Sequence, residues 1–281
     1  MKEIVITGGN AGIGFETVRE LAGRGHRVTF TVRDEKKGQH TIDLIRDEHP
    51  AAELSVIIAD LSDFDSIRRA AREILEIHPR IDVLIHNAGT FQSVRRTNTA
   101  GIELSLMVNH VAPFYLTHLL LPGLVGSDES RVINVNSDSH YLASYDPGNL
   151  HLERKYHGLR AYGRSKLANV YFTYEFERRN PHPHVSIYAL HPGLVNTDIG
   201  AKDATFFHRL VWNWRSRSGK TPAQGAETSI YLATEDRDTL TSGMYWDNCR
   251  LRKSSKISYN EVNAGSLWDK SLEMCGIEAY F

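Results

Sequence analysis

Short apolar runs alternate with amphipathic stretches along most of the chain. Residues 4–7, 28–32, 54–59, 83–86, 132–135 and 185–190 are nearly continuous in Ile, Val, Leu and other strand formers. Such runs, with little polar alternation, predict strands buried on both faces. Between them, Phe64, Ile67, Ala71, Ile74 and Leu75 recur on one helical stripe, and Asp63 stands where an N-cap or first-turn acid belongs. This alternation predicts one α/β domain spanning 1–281, a doubly wound parallel sheet between two helical layers, α/β/α, joined by right-handed crossovers. No repeat or Pro/Gly/Ser-rich linker divides it. Two segments break the pattern: 138–160, rich in Tyr, His and charge, and 194–220, which reads as a lid. Each follows the C-terminal end of a strand, and long irregular insertions in a compact domain are usually functional.

Composition narrows the picture without changing it. The 281 residues carry 33 Lys+Arg against 34 Asp+Glu, a net charge of −1. That balance offers nucleic acid no general attraction, so none is expected as a partner. The longest apolar stretch, 111–125, is broken by Pro113, His118 and Pro122, and no transmembrane segment is expected from it. With no targeting segment read at the start of the chain, the expected location is cytoplasmic. Only Cys249 and Cys275 are present, with neither pairing nor metal-ligand spacing. Pro181-His182-Pro183-His184 reads as a helix-to-strand turn, and no metal is expected.

The first strand runs into Thr7-Gly8-Gly9-Asn10-Ala11-Gly12-Ile13-Gly14 and then into a helix. Gly8 permits a sharp turn, Gly12 lets the backbone approach a pyrophosphate, and Gly14 allows close helix–strand packing. The helix start adds unpaired N–H groups and the positive end of its dipole. The turn is therefore read as a dinucleotide cradle, with contacts at Thr7, Gly8, Asn10, Gly12, Ile13 and Gly14. After the second strand come Val32-Arg33-Asp34. Val32 cannot accept a hydrogen bond from a ribose 2′-OH, whereas the planar Arg33 guanidinium suits a 2′-phosphate. NADP is expected in preference to NAD, the alternative being a solvated Arg33 with Asp34 on the ribose.

Tyr162 and Lys166 lie four apart in what reads as the start of a helix, Tyr162-Gly163-Arg164-Ser165-Lys166, and so share one face. A cation beside a phenol favours its ionised form, which would suit Tyr162 to general acid–base work. Such i, i+4 pairs are common. The order of elements along the whole chain is not: the glycine turn, Asp60-Leu61, Asn87-Ala88-Gly89, Asn109, Ser137, Tyr162-x-x-x-Lys166 and Pro192-Gly193.

In these residues the chain resembles the short-chain dehydrogenase/reductase superfamily. It is most similar to the retinol dehydrogenase-like branch, through Val108-Asn109-His110, Asn134-Val135-x-Ser137-x-x-His140, Ser165-Lys166-Leu167-Ala168-Asn169, His191-Pro192-Gly193 and Leu267-Trp268. The 25 residues from Ser137 to Tyr162 (162 − 137) also resemble that branch and mark 138–160 as its insertion. The resemblance implies a Rossmann-type fold and a catalytic set of Asn109, Ser137, Tyr162 and Lys166. Tyr162 exchanges the proton with the substrate oxygen, Lys166 depresses the Tyr162 pKa and holds the nicotinamide ribose, Ser137 bonds the substrate oxygen, and Asn109 anchors a relay water. For Ser137, Ser139 is a competitor two residues on. Asp60 and Leu61 would flank the adenine, although Asp60 would equally serve as a helix N-cap. Asn87 and Gly89 would line its ribose with Ala88 between them, and Pro192, Gly193 and Thr197 would approach the nicotinamide. His86 and Asn136 depart from the family's usual Asn and Ser and put the finer cofactor contacts in question.

Residues 206–215, Phe206-Phe207-His208-Arg209-Leu210-Val211-Trp212-Asn213-Trp214-Arg215, read as a lid over an apolar pocket, as an interfacial helix giving peripheral membrane association, or as a helix on its own core. The resemblance also implies a homodimer through the Tyr162 helix, whose Tyr171, Phe172 and Phe176 would form that face or point to the core. The expected activity is NADP-dependent hydride transfer to or from a lipophilic aldehyde, ketone or alcohol, of retinoid, steroid or lipid-aldehyde type. The alternatives are a catalytically silent NADP-binding sensor and an interaction protein using Trp212.

Overall fold

The computed structural model describes residues 1–195 and 219–281. Eight strands form one sheet in the order β3-β2-β1-β4-β5-β6-β7-β8. They are β1 (Glu3–Thr7), β2 (Arg27–Val32), β3 (Leu54–Ile58), β4 (Val83–His86), β5 (Ser130–Val135), β6 (Val185–His191), β7 (Met244–Asp247) and β8 (Arg250–Leu251). Every pairing is parallel except β7 with β8, which is antiparallel. All six expected strands are present. The strands β7 and β8 were not anticipated, because four and two residues at a sheet edge are too short for a periodic signal.

Two apolar cores, one on each face, make the three layers. Helices α1 (Gly12–Gly23), α2 (Glu35–Glu48) and α7 (Pro222–Thr234) enclose one, around Val18, Leu21, Phe30, Ile45 and Leu232. Helices α3 (Phe64–Ile77), α5 (Ala112–Val125), α6 (Gly158–Arg179) and α8 (Glu261–Cys275) enclose the other. The α3 stripe is as expected, with Ile67, Ala71 and Ile74 buried and Asp63 accepting from the backbone N–H groups of Asp65 and Ser66. The short α4 (Leu104–Leu106), a π-turn (Met107–Val111) and α5 together run from Leu104 to Val125, a helix long and apolar enough to span a bilayer by composition. Most of it is buried in the core, with Phe114 against Phe172, Trp268 and Tyr280. Tyr171, Phe172 and Phe176 are buried there too, so they face the core and present no dimer surface. The 182–184 region joins α6 to β6 as a turn.

Helix α6 begins at Gly158, a turn earlier than the Tyr162 start expected from the sequence. Gly158 is a poor helix former, but a Cβ there would lie 2.5 Å from the Gln92 carbonyl and 2.9 Å from the Phe91 ring. Close approach, not helix propensity, selects it. The rest of 138–160 holds 3-10 turns at Asp138–Leu142 and Pro147–Asn149. Most of 194–220, with Thr197 and the whole of 206–215, lies outside the described residues.

Candidate active site

The sheet order reverses direction between β1 and β4, and the loops leaving the C-terminal ends of these strands open a crevice. The glycine turn leaves β1 with Gly8 at φ +71° and Gly12 at φ +55°, a backbone that favours glycine. A Cβ on Gly14 would stand 2.1 Å from the Gly8 carbonyl and 2.4 Å from Asn87 Nδ2. The turn after β4 closes onto it. Asn87 Nδ2 donates to the Thr7 and Gly8 carbonyls at 3.0 and 2.9 Å, and Ala88 N donates to Thr7 Oγ1 at 3.1 Å. Thr7 and Asn87 thus brace the cradle with the side chains that were expected to touch a cofactor.

The fit to a dinucleotide rests on the start of α1. Its N-cap, Ala11, offers no side-chain bond, and its first turn holds no acid. Helices α2 and α3 are capped by Asp34 and Asp63. The free N–H groups of α1 are left for an anion, and a pyrophosphate matches them. Asn10 and Ile13 are half-buried beside this turn. Asp34 accepts from Lys37 N at 3.1 Å, so as a cap it is engaged away from the ribose role considered for it. Arg33 is exposed at the end of β2. Asp60, two residues after β3, sits in a turn closed by the backbone and hydroxyl of Ser62, and Leu61 is buried. The N-cap of α3 is Asp63, not Asp60.

Across the switch point, Ser137 follows β5 and Tyr162 and Lys166 lie on α6. The Ser137 hydroxyl is close enough to the Tyr162 phenol to favour its ionised form. Lys166 Nζ lies 5.6 Å from the Tyr162 ring centroid and donates to the Val135 carbonyl at 3.0 Å. Gly89 brings the turn after β4 to the same place, since a Cβ there would lie 3.4 Å from Asn109 Oδ1 and 3.7 Å from Lys166 Nζ. Asn109 sits in the π-turn, buried, and its amide is committed to protein. Thr90 N donates to its Oδ1 at 2.7 Å, and its Nδ2 donates to the Thr90 carbonyl and Ser165 Oγ, each at 2.9 Å. Both of its amide protons are spent on this brace. Four of the expected residues therefore converge, together with Gly89. Pro192 and Gly193 follow β6, with Gly193 at φ +89°.

Electrostatics in this crevice run against the simplest expectation. Burial pushes the Tyr162 phenol above its ordinary value, with the Ser137 hydroxyl pulling the other way. Burial also brings Lys166 down to about 8. Desolvation disfavours the charged form of each group, which raises the phenol and lowers the amine. The chain alone keeps Tyr162 protonated at neutral pH.

Several partners of these residues escaped the sequence reading. Ser165 Oγ donates to the Tyr162 carbonyl at 2.8 Å while accepting from Asn109, and its place three residues after Tyr162 was the available clue. The Phe91 ring meets Tyr162 edge-on at 6.1 Å. Asn136 Nδ2 donates to the Lys166 carbonyl at 3.0 Å, and Asn136 Oδ1 accepts from Ser137 N at 2.9 Å. The departure at Asn136 thus ties β5 to α6, and that at His86 is buried against Thr117 of α5 at 2.7 Å. Ser139 Oγ accepts from Ser137 Oγ at 3.2 Å. Among the described residues no cluster of His, Cys, Asp or Glu is placed to hold a metal.

Comparison with known proteins agrees with this geometry. A short chain dehydrogenase family model matches residues 2–206. The chain is 38% identical over 276 residues to retinol dehydrogenase 11 of Homo sapiens, covering 98% of this chain and 86% of that one. It is 38% identical over 278 residues to retinol dehydrogenase 12 of Mus musculus, covering 99% and 87%. A solved structure of an uncharacterized protein from Mycobacterium paratuberculosis superposes with a TM-score of 0.80 at 30% identity, covering 99% of this chain and 94% of that one.

Proposed function

The chain belongs to the short-chain dehydrogenase family and its retinol dehydrogenase-like branch, and from that premise we propose that it reduces lipophilic aldehydes or ketones with NADPH. Hydride-transfer chemistry at an alcohol or carbonyl goes with the family. The cofactor, the substrate and the direction are the proposal. One observation carries it: Ser137, Tyr162 and Lys166 meet at one edge of a crevice whose other edge is an uncapped helix start.

When bound, the nicotinamide supplies the hydride to the carbonyl carbon. The protein's part is at the oxygen. Ser137 Oγ donates a hydrogen bond to the substrate oxygen as negative charge grows there. Tyr162, protonated at neutral pH by its burial, donates its phenolic proton to that oxygen and completes the alcohol. Lys166 Nζ, titrating near 8, holds a proton it can pass toward the phenolate so formed. Asn109 and Ser165 brace the Tyr162 backbone, so the acid stays in register with the oxygen. Gly8, Gly12 and the free N–H groups of α1 would take the pyrophosphate, and Arg33 the 2′-phosphate. The likeness to retinol dehydrogenases supports a retinoid or similarly apolar carbonyl.

The test is turnover of retinal, a steroid ketone and a long-chain aliphatic aldehyde with NADPH. Tyr162→Phe should lose about a thousandfold in kcat and still bind NADPH. NADPH binding without turnover of any of the three would favour the silent sensor. Arg33→Ala should cut the NADPH-over-NADH preference at least tenfold, and an unchanged preference would remove Arg33 from the 2′-phosphate site.

A further inference from the structure

We propose that His140 is a positioning residue for Ser137, a neutral imidazole strut that fixes the aim of the serine by tying its carbonyl to the C-terminal segment. The inference deepens the reading above, in which Ser137 holds the substrate oxygen. His140 is fully buried. Its Nδ1 lies 2.7 Å from the Ser137 carbonyl, and its Nε2 accepts from Ser255 N at 3.1 Å. A backbone N–H can only donate, so Nε2 is bare and Nδ1 carries the proton that the Ser137 carbonyl accepts. One tautomer satisfies both contacts.

The strut has a firm footing. Ser254 Oγ meets the Tyr174 hydroxyl and Ser258 Oγ, each at 2.6 Å, and Ser258 Oγ donates to the Ser255 carbonyl at 2.6 Å. The imidazole is held between the Tyr141 and Tyr245 rings, at 4.2 and 4.9 Å between centroids. Burial lowers its pKa, and His191 and Arg252 add to that against the Ser137 carbonyl and Asp138. The ring is therefore uncharged at neutral pH, as the bond from Ser255 requires.

At the other end, the Ser137 carbonyl accepts from His140 N at 3.3 Å as well as from the ring. Two donors on one carbonyl fix the orientation of that peptide. On the opposite side α6 presses on the same turn, where a Cβ at Gly163 would lie 2.9 Å from the Ser139 carbonyl. The hydroxyl that must reach the substrate oxygen thus stands on a turn clamped from two sides. A displacement of about 1 Å at such a group costs about a hundredfold in rate.

Two near-isosteric variants separate the two ends. In His140→Asn the amide nitrogen takes the place of Nδ1 and still donates to Ser137, but nothing accepts from Ser255. In His140→Gln the amide oxygen takes the place of Nε2 and accepts from Ser255, but the bond to Ser137 is lost. The expected result is a tenfold or greater loss of kcat in both variants, because a tie cut at either end no longer holds the serine. The KM for NADPH should stay within twofold in both, and the fall in Tm should be similar. A kcat within about threefold of the parent in either variant, or a loss expressed in the NADPH KM, would overturn the strut. Nitrogen-15 NMR of the imidazole gives a readout independent of turnover. A protonated Nδ1 with bare Nε2 supports the strut even if no carbonyl is reduced, an outcome that would sink the functional reading alone. A protonated Nε2 overturns the strut whatever the activity.

Discussion

The two halves of the sheet hold their loops by different means. On the β1–β4 side the crevice is shaped by backbone and absent side chains. Gly8 and Gly14 let the turn fold onto itself, and Asn87 and Thr7 stitch it to the neighbouring strand over a few ångströms. On the β5–β8 side, polar side chains pin the loop after β5 to residues more than 100 positions away. His140 reaches Ser255, Tyr141 reaches Lys253, and Asp138 pairs with Arg252. The first half is built to accept a constant shape. The second is held by contacts that one substitution can re-aim, which suits a surface that selects among substrates.

The sharpest break of this comparison falls on Lys166, which serves both halves. Lys166→Met should abolish turnover by a factor of about a thousand and still yield a more stable protein. The ordinary lysine pKa of 10.5 is lowered to about 8 in the fold, so the native state carries the charge at a cost. The sign follows from linkage. Between these values the unfolded chain binds more protons than the native one, so stability of the parent rises with pH across that interval. The variant's advantage, about 3 kcal/mol at most, is therefore full below pH 8 and closes by about pH 10.5. Urea unfolding at pH 7 and pH 10.5 measures it.

Next in size is Gly14→Ala, which attacks the first half where it cannot yield. Its new methyl would collide with the Gly8 carbonyl and Asn87 Nδ2. A loss of about 2–3 kcal/mol in unfolding free energy is expected, with NADPH affinity down more than tenfold by fluorescence titration. Asn87→Ala should cost less, about 1–2 kcal/mol, because it removes two hydrogen bonds without forcing a clash. Its NADPH KM should rise severalfold at constant kcat. Were Asn87→Ala to alter kcat instead, the division of labour between the halves would fail.

The same contrast explains what could be read from the chain. The glycine turn of the β1–β4 half is local. A run of β-branched residues predicts each strand, and the glycines fall within eight positions of one another, so the cradle was legible. Tyr162 and Lys166 were legible for a similar reason, being one helical turn apart. The contacts that orient them were not. Asn109, Thr90 and Ser165 come together through three separate elements, and no spacing encodes the bond from Asn109 to Ser165. In the sequence His140 stands out only as part of a motif, because its partner lies 115 residues away. The spacing of Tyr162 and Lys166 suggests an acidified phenol, and it carries no sign of the burial that pushes the phenol up. Desolvation depends on every residue packed around a group, which a one-dimensional pattern does not carry.

The smallest expected effect is the most discriminating. Arg252 Nη1 reaches Asp138 at 3.1 Å and Asp247 at 2.8 Å, and Asp138 also faces His191 Nε2 at 3.5 Å. The Arg252 side chain is 37% exposed and Asp138 39%, so solvent screens the pair and its worth in stability is below about 1 kcal/mol. Arg252→Met keeps the aliphatic stem and removes the charge, so any loss beyond that is not a packing loss. Asp138 follows Ser137 directly, and loosening it should lower kcat/KM for the carbonyl substrate about threefold. The NADPH KM should not move, since the cradle is braced from the other strands. A threefold loss shared equally by NADPH KM and carbonyl KM would mean that the two halves move as one body, and the contrast drawn between them would have no functional content.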